Sequence, residues 1–157
     1  MNCETMKTFP FLKDFRENRG AAGGFLLNDE TGIPSETVGY SGVYIIEATD
    51  GFKFPYPKGN SKVIYIGKAD NLHSRLMGHR TRVNQLVKTK GNYGMADDEP
   101  WVSSKYQYMY YHGAKVYYYK CLGKQEAKQL EASIMWSFYQ KYHALPIGNG
   151  AKSYSKE

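Results

Sequence analysis

At 157 residues the chain is long enough for one domain with a real core and too short for two comfortable ones. Its 21 Lys and Arg against 15 Asp and Glu leave a net charge of +6, which predicts attraction to a polyanion. No run approaches the roughly 18 apolar residues of a membrane span, and no signal-peptide pattern opens the chain. The two cysteines, Cys3 and Cys121, form no CxxC and have no His at zinc-finger spacing, which argues against a structural zinc site or a disulfide framework. A soluble protein of the reducing cytoplasm is expected. The 15 Tyr supply rings that stack and hydroxyls that bond, suited to nucleic-acid or protein surfaces and equally common in strands.

In chain order, residues 1–37 read as an N-terminal arm that packs on the body through Phe9, Phe11, Leu12 and Phe15, with a flexible stretch from Gly20 to Gly24. The remainder, 38–157, reads as the main part of a single-domain protein. Gly42–Glu47 and Lys62–Gly67 read as two strands. Between them Asp50-Gly51, Pro55, Pro57 and Gly59-Asn60 favour a hairpin with a long loop. Asp70 or Asn71 can cap a helix that runs to about Val87. Lys88–Pro100 reads as a loop, Trp101–His112 as a helix with a strand as the alternative, and Lys115–Leu122 as a third strand. A long helix, Lys124–His143, follows and stops before Leu145-Pro146. The fold class expected is α+β: a small three-stranded antiparallel sheet flanked by helices.

Two helices carry the informative side chains. On the last one, Leu130, Ile134, Ala127, Phe138, Tyr142 and Met135 fall within an arc of roughly 140° at about 100° per residue, and Glu131 lies inside it. A carboxylate on a core face costs several kcal/mol unless a cation or donors meet it, so Glu131 implies either a buried ion pair or a bound cation. On the first helix Leu72, Leu76 and Val83 form a narrow apolar stripe, with Arg75 and His79 one turn apart along its edge. Such side chains can keep their stems in the core and their heads in a cleft. Arg80, Arg82, Lys88 and Lys90 add charge nearby, either as a solvated face or as a phosphate-contact surface.

The order of Gly42-Val43-Tyr44, Tyr65-Ile66-Gly67, Arg75, His79 and Glu131 resembles the GIY-YIG nuclease superfamily, over roughly Val38 to Asn149. Val43 stands where the first motif usually has Ile, and the loop between the two motifs is longer than the usual tight one. Its stretch from Lys53 to Asn60 suggests a DNA-contacting insertion. The resemblance implies a catalytic set of Tyr44, Tyr65, Lys68, Arg75, His79, Glu131 and Asn149. Without it, Tyr44 and Tyr65 would be plain sheet tyrosines, Lys68 a surface lysine and Asn149 a turn residue. With it, Glu131 binds one divalent ion, Mg²⁺ or Mn²⁺, and Mg²⁺ suits a site of one carboxylate completed by water and phosphate oxygens. Asn149 orients the site, and Arg75 neutralises charge on the phosphate. A phenol has a pKa of about 10, so Tyr44 as a base near neutrality needs help, which Arg75, Lys68 and the ion would each lend by favouring phenolate.

The implied activity is hydrolysis of DNA phosphodiester bonds by a metal-dependent endonuclease. With no room for a separate DNA-reading module, a small restriction-type enzyme on double-stranded DNA is favoured, a homodimer being one option for its assembly. A repair, phage or mobile-element nuclease of the same fold is the nearest alternative. A non-catalytic nucleic-acid binder would be expected to lack Tyr44, Arg75 or Glu131. A basic module for protein or membrane leaves Glu131 unexplained.

Overall fold

Strand β2 (Ser41–Glu47) sends Tyr44 and Ile46 to one buried surface and Val43 and Ile45 to the other, so helices must cover both faces of its sheet. The computed structural model describes residues 22–27, 32–89 and 100–149. Along the chain the elements are β1 (Ala22–Leu26), β2, β3 (Phe54–Tyr56), β4 (Gly59–Ser61), β5 (Val63–Ala69), α1 (Leu72–Thr89), α2 (Pro100–His112), β6 (Lys115–Cys121) and α3 (Lys124–Tyr142), with a short 3₁₀ turn at Ser35–Thr37. The main sheet has the order β1-β6-β2-β5 and every pairing is antiparallel. On the Tyr44 face, α1 brings Leu72, Leu76 and Val83 and α2 brings Met109. On the other, α3 brings Ala127, Leu130, Ile134, Met135 and Phe138 against Val43, Ile45 and Ile66. The class is α+β, as expected.

The sheet departs from expectation in having four strands among the described residues rather than three. The extra one, β1, comes from the stretch expected to be a flexible part of the arm. Its backbone pairs with β6 through a bulge between Gly23 and Phe25, where Gly24 takes φ +75°, so edge pairing outweighs the weak strand propensity of the glycines. Phe9, Phe11, Leu12 and Phe15 of the arm lie outside the described residues. So does the loop expected over 88–100, save for its ends.

The long hairpin loop contains a second, two-stranded sheet, β3-β4. Phe54 is buried in the core, and the Tyr56 ring lies 5.3 Å from that of Phe138, edge to face. The insertion is therefore anchored by aromatic packing rather than held out in solvent. Helix boundaries follow local chemistry. Asn71 is the cap of α1, its Oδ1 accepting from Ser74 N–H at 3.0 Å, and Pro100 opens α2. Gly113 stops α2 with φ +83°, its N–H donating to the Met109 carbonyl. That the Trp101–His112 region is helix settles the alternative left open there.

Candidate active site

Both glycines of the two tripeptide strings have a steric reason. A Cβ on Gly67 would come within 2.6 Å of the Tyr44 ring and hydroxyl and 2.7 Å of the Tyr65 ring. Gly67 faces Tyr44 across the β2-β5 ladder, so the two tyrosines lean over the space it leaves empty, with ring centroids 6.0 Å apart. A Cβ on Gly42 would meet the Tyr119 carbonyl at 2.5 Å and the Leu72 side chain at 3.0 Å. Gly42 thus lets the first turn of α1 close onto the sheet.

That closure carries His79 to Tyr44. The Tyr44 hydroxyl lies 2.6 Å from His79 Nε2, and His79 Nδ1 lies 2.9 Å from the Tyr106 hydroxyl. Tyr44 is 1% exposed and His79 2%. Burial, followed by the charges of Lys105 and Arg75, pushes the imidazole down to about 3, so it is neutral at ordinary pH. A neutral imidazole has one donor and one acceptor, so proton order along the chain runs one of two ways. Either Tyr44 donates to Nε2 and Nδ1–H donates to Tyr106, or Tyr106 donates to Nδ1 and Nε2–H donates to Tyr44. Both leave a continuous relay from the buried Tyr44 to the half-buried Tyr106.

The expected help toward phenolate is outweighed. Burial, then Tyr65, raise the Tyr44 phenol well above its ordinary value, and Arg75 lowers it by less. Tyr44 is a phenol near neutrality, because removing a buried group from water costs its anion more than one nearby guanidinium returns. Tyr106 is also raised, to about 12, chiefly by burial.

A cleft of about 510 Å³ opens against this relay, lined by Lys68, Ser74, Arg75, His79, Arg82 and Tyr106 among others. Arg75 is exposed there while His79, one turn on, is buried, so the edge of the apolar stripe divides the pair between cleft and core. Lys68 is half-buried in the cleft wall. Arg82 joins them. Arg80 lies against Gly32 instead, and Lys88 is exposed about 120° round the helix from Arg82, so neither shares the cleft. Lys90 lies outside the described residues.

Glu131 is buried at 6% exposure, and its charge contributes to raising the Tyr44 phenol, which brings it within electrostatic reach of the relay. Glu47, three residues beyond Tyr44 on β2, is a second buried carboxylate; Lys62 Nζ stands 3.9 Å from it. Among the described residues no three His, Cys, Asp or Glu side chains gather into a cluster that could hold a metal. The Glu131 carboxylate is a hard-oxygen donor. It fits an ion that keeps several waters, as Mg²⁺ does, and not one that demands three or four protein ligands.

The hydrogen bonds of Asn149 go to backbone and to none of the cleft side chains. Its Oδ1 accepts from Ile66 N–H at 2.9 Å and its Nδ2 donates to the Ile66 carbonyl at 2.8 Å, while Gly148 N–H donates to the Ile64 carbonyl at 2.7 Å. This segment satisfies the outer edge of β5, which pairs no further strand of the main sheet among the described residues, and so fixes the backbone between Tyr65 and Gly67.

Two residues here were missed from sequence, Tyr106 and Lys105. The Lys105 ammonium sits 4.4 Å from the centroid of Tyr65 and 5.3 Å from that of Tyr106. The available signal was a single lysine in a tyrosine-rich helix, one turn before Met109, which the core buries. Comparison of the chain with protein-family models, characterised proteins and solved structures returns no match.

Proposed function

We propose that the chain is a compact endonuclease of the GIY-YIG type that hydrolyses DNA phosphodiester bonds with one divalent ion, and that it acts on duplex DNA in the manner of a small restriction enzyme. The observation that carries this reading is the Tyr44–His79–Tyr106 relay opening on a cleft that Lys68, Arg75 and Arg82 make positive. A phosphodiester is the ligand that such a wall attracts, and a proton relay is what hydrolysis adds to binding.

The attacking water gives its proton to the Tyr44 oxygen as the Tyr44 hydroxyl proton passes to His79 Nε2, the Nδ1 proton passes to the Tyr106 oxygen and the Tyr106 hydroxyl proton leaves to solvent in the cleft, so His79 stays neutral. Tyr44 therefore works as a relay and need never exist as free phenolate. Arg75, exposed in the cleft, offsets charge gathering on the phosphoryl oxygens. Glu131 would hold Mg²⁺ or Mn²⁺, and the ion, when bound, supplies Lewis-acid stabilisation of the leaving 3′ oxygen. Tyr65, stacked under Lys105 and beside Tyr44, shapes the floor over Gly67.

Incubation of the purified protein with supercoiled plasmid tests this directly. Nicked or linear product in Mg²⁺, its loss in excess EDTA, and loss of roughly a hundred- to a thousandfold in single-turnover rate for Arg75→Ala are the expected results. Duplex binding without cleavage under any divalent ion would make the chain a non-catalytic nucleic-acid binder.

A further inference from the structure

The hydrolytic scheme leaves Lys105 without a task, although the protein holds it at a cost. Its stem packs under Gly148, where a Cβ would come within 3.0 Å of the Lys105 Cβ, and its ammonium rests on the faces of Tyr65 and Tyr106. Burial, then Arg75 and Arg82, push this amine down to about 8 from an ordinary 10.5. The titratable and charged groups around it are Tyr65 of β5, Arg75, His79 and Arg82 of α1, and Tyr106 of its own helix. Ring faces return only part of the hydration a cation loses on burial. Two guanidinium groups beside it add repulsion, and both line the cleft with Tyr106. An anion in that cleft would relieve all three charges together.

We propose that Lys105 forms, with Arg75 and Arg82, a three-cation site for a backbone phosphate in this cleft, acting from behind the Tyr106 ring by its charge. The inference rests on the nucleic-acid reading above and adds to it a proton linkage. A phosphate favours the ammonium form of Lys105 over the amine, so binding above about pH 8 takes up a proton. The sign follows from that: affinity is full where Lys105 is already charged and falls as pH rises through the free protein's value.

Binding of a short DNA duplex in EDTA, measured by fluorescence anisotropy and by calorimetry in two buffers of different ionisation enthalpy, tests the linkage without cleavage. The parent is expected to lose about tenfold in affinity between roughly pH 7 and 9.5 and to take up about half a proton near the middle of that range. Lys105→Arg, which keeps the charge and cannot release it, should lose less than about threefold and take up none. Lys105→Met should bind more weakly at neutral pH, also without proton uptake. A pH-independent parent affinity, or an Arg variant with the parent's proton uptake, overturns the inference. Proton-linked binding by a parent that cuts no DNA in Mg²⁺ would support it while removing the hydrolytic function. A folded parent that binds no duplex at all would overturn both.

Discussion

The Tyr44 hydroxyl and His79 Nε2 meet at 2.6 Å in a buried contact between residues 35 apart in the chain, one on the central strand and one on the helix that covers it. Everything proposed for proton transfer runs through this pair. Tyr44→Phe removes one oxygen, and it also leaves a buried imidazole nitrogen without its partner. A stability loss of about 1–3 kcal/mol is therefore expected together with loss of cleavage. Urea unfolding beside single-turnover assays separates the effects. A Phe variant that cuts at the parent's rate would remove Tyr44 from the chemistry, whatever its stability.

His79 predicts the acid limb of stability. Its folded-state value of about 3 lies below the ordinary 6.5, so between those pH values the unfolded chain binds a proton that the folded one refuses. The corresponding stability is full above about pH 6.5 and is lost as pH falls toward 3, by up to about 1.4 kcal/mol per pH unit for this one group. His79→Gln, neutral throughout, should show a shallower decline. Urea midpoints between pH 7 and 4.5 measure it, and parallel declines in the two proteins would refute the assignment.

Gly67 and Gly78 make a matched pair. An alanine at 67 drives a methyl into Tyr44 and Tyr65, and a loss of about 1–3 kcal/mol with disturbed tyrosine packing is expected. At Gly78, on the cleft side of α1, a Cβ meets nothing within 4 Å, so Gly78→Ala should stabilise by about 0.5–1 kcal/mol. Thermal melts and near-ultraviolet circular dichroism of the two variants decide the matter. Equal effects of the same sign would contradict the geometry.

Asn149→Leu deletes two hydrogen bonds to Ile66 while keeping comparable bulk. A loss of about 2–4 kcal/mol is expected, with faster hydrogen exchange at the Ile66 amide as the local signature. Asn149→Asp keeps the acceptor for Ile66 N–H but sets a carboxylate oxygen against its carbonyl, so it should rescue only part. An unchanged Ile66 exchange rate in the Leu variant would show that the edge is held by other means.

Glu131→Gln should abolish metal-dependent cleavage and leave duplex binding in EDTA intact. Because the Glu131 charge helps to raise the Tyr44 phenol, the same variant should lower the pH at which that tyrosine ionises, readable by ultraviolet titration against a Tyr44→Phe control. Cleavage retained by the Gln variant would sink the metal assignment.

The local elements were legible because their signals are local. Runs of strand formers bounded by turn residues marked β2 and β5, Asp70 or Asn71 marked the start of α1, and an arc of apolar positions marked the buried face of α3 with Glu131 on it. The steric need for Gly67 could not be read from its own string, since the Tyr44 ring reaches it from another strand. Likewise the sequence placed Arg75 and His79 at one edge of a stripe, and only the packing of α1 on the sheet sent one to the cleft and the other into the core. The same holds for the ionisation of Tyr44. Counting nearby cations pointed to phenolate, whereas burial, a property of the whole assembled fold, reversed the direction. Strand β1 and Lys105 escaped notice for one reason: neither carries a periodic pattern, and each takes its meaning from a partner far along the chain, β6 for one and Tyr65 for the other. Short-range spacing determines which segments are helix or strand, while long-range packing decides what is buried beside what, and hence which charges and protons the site can hold.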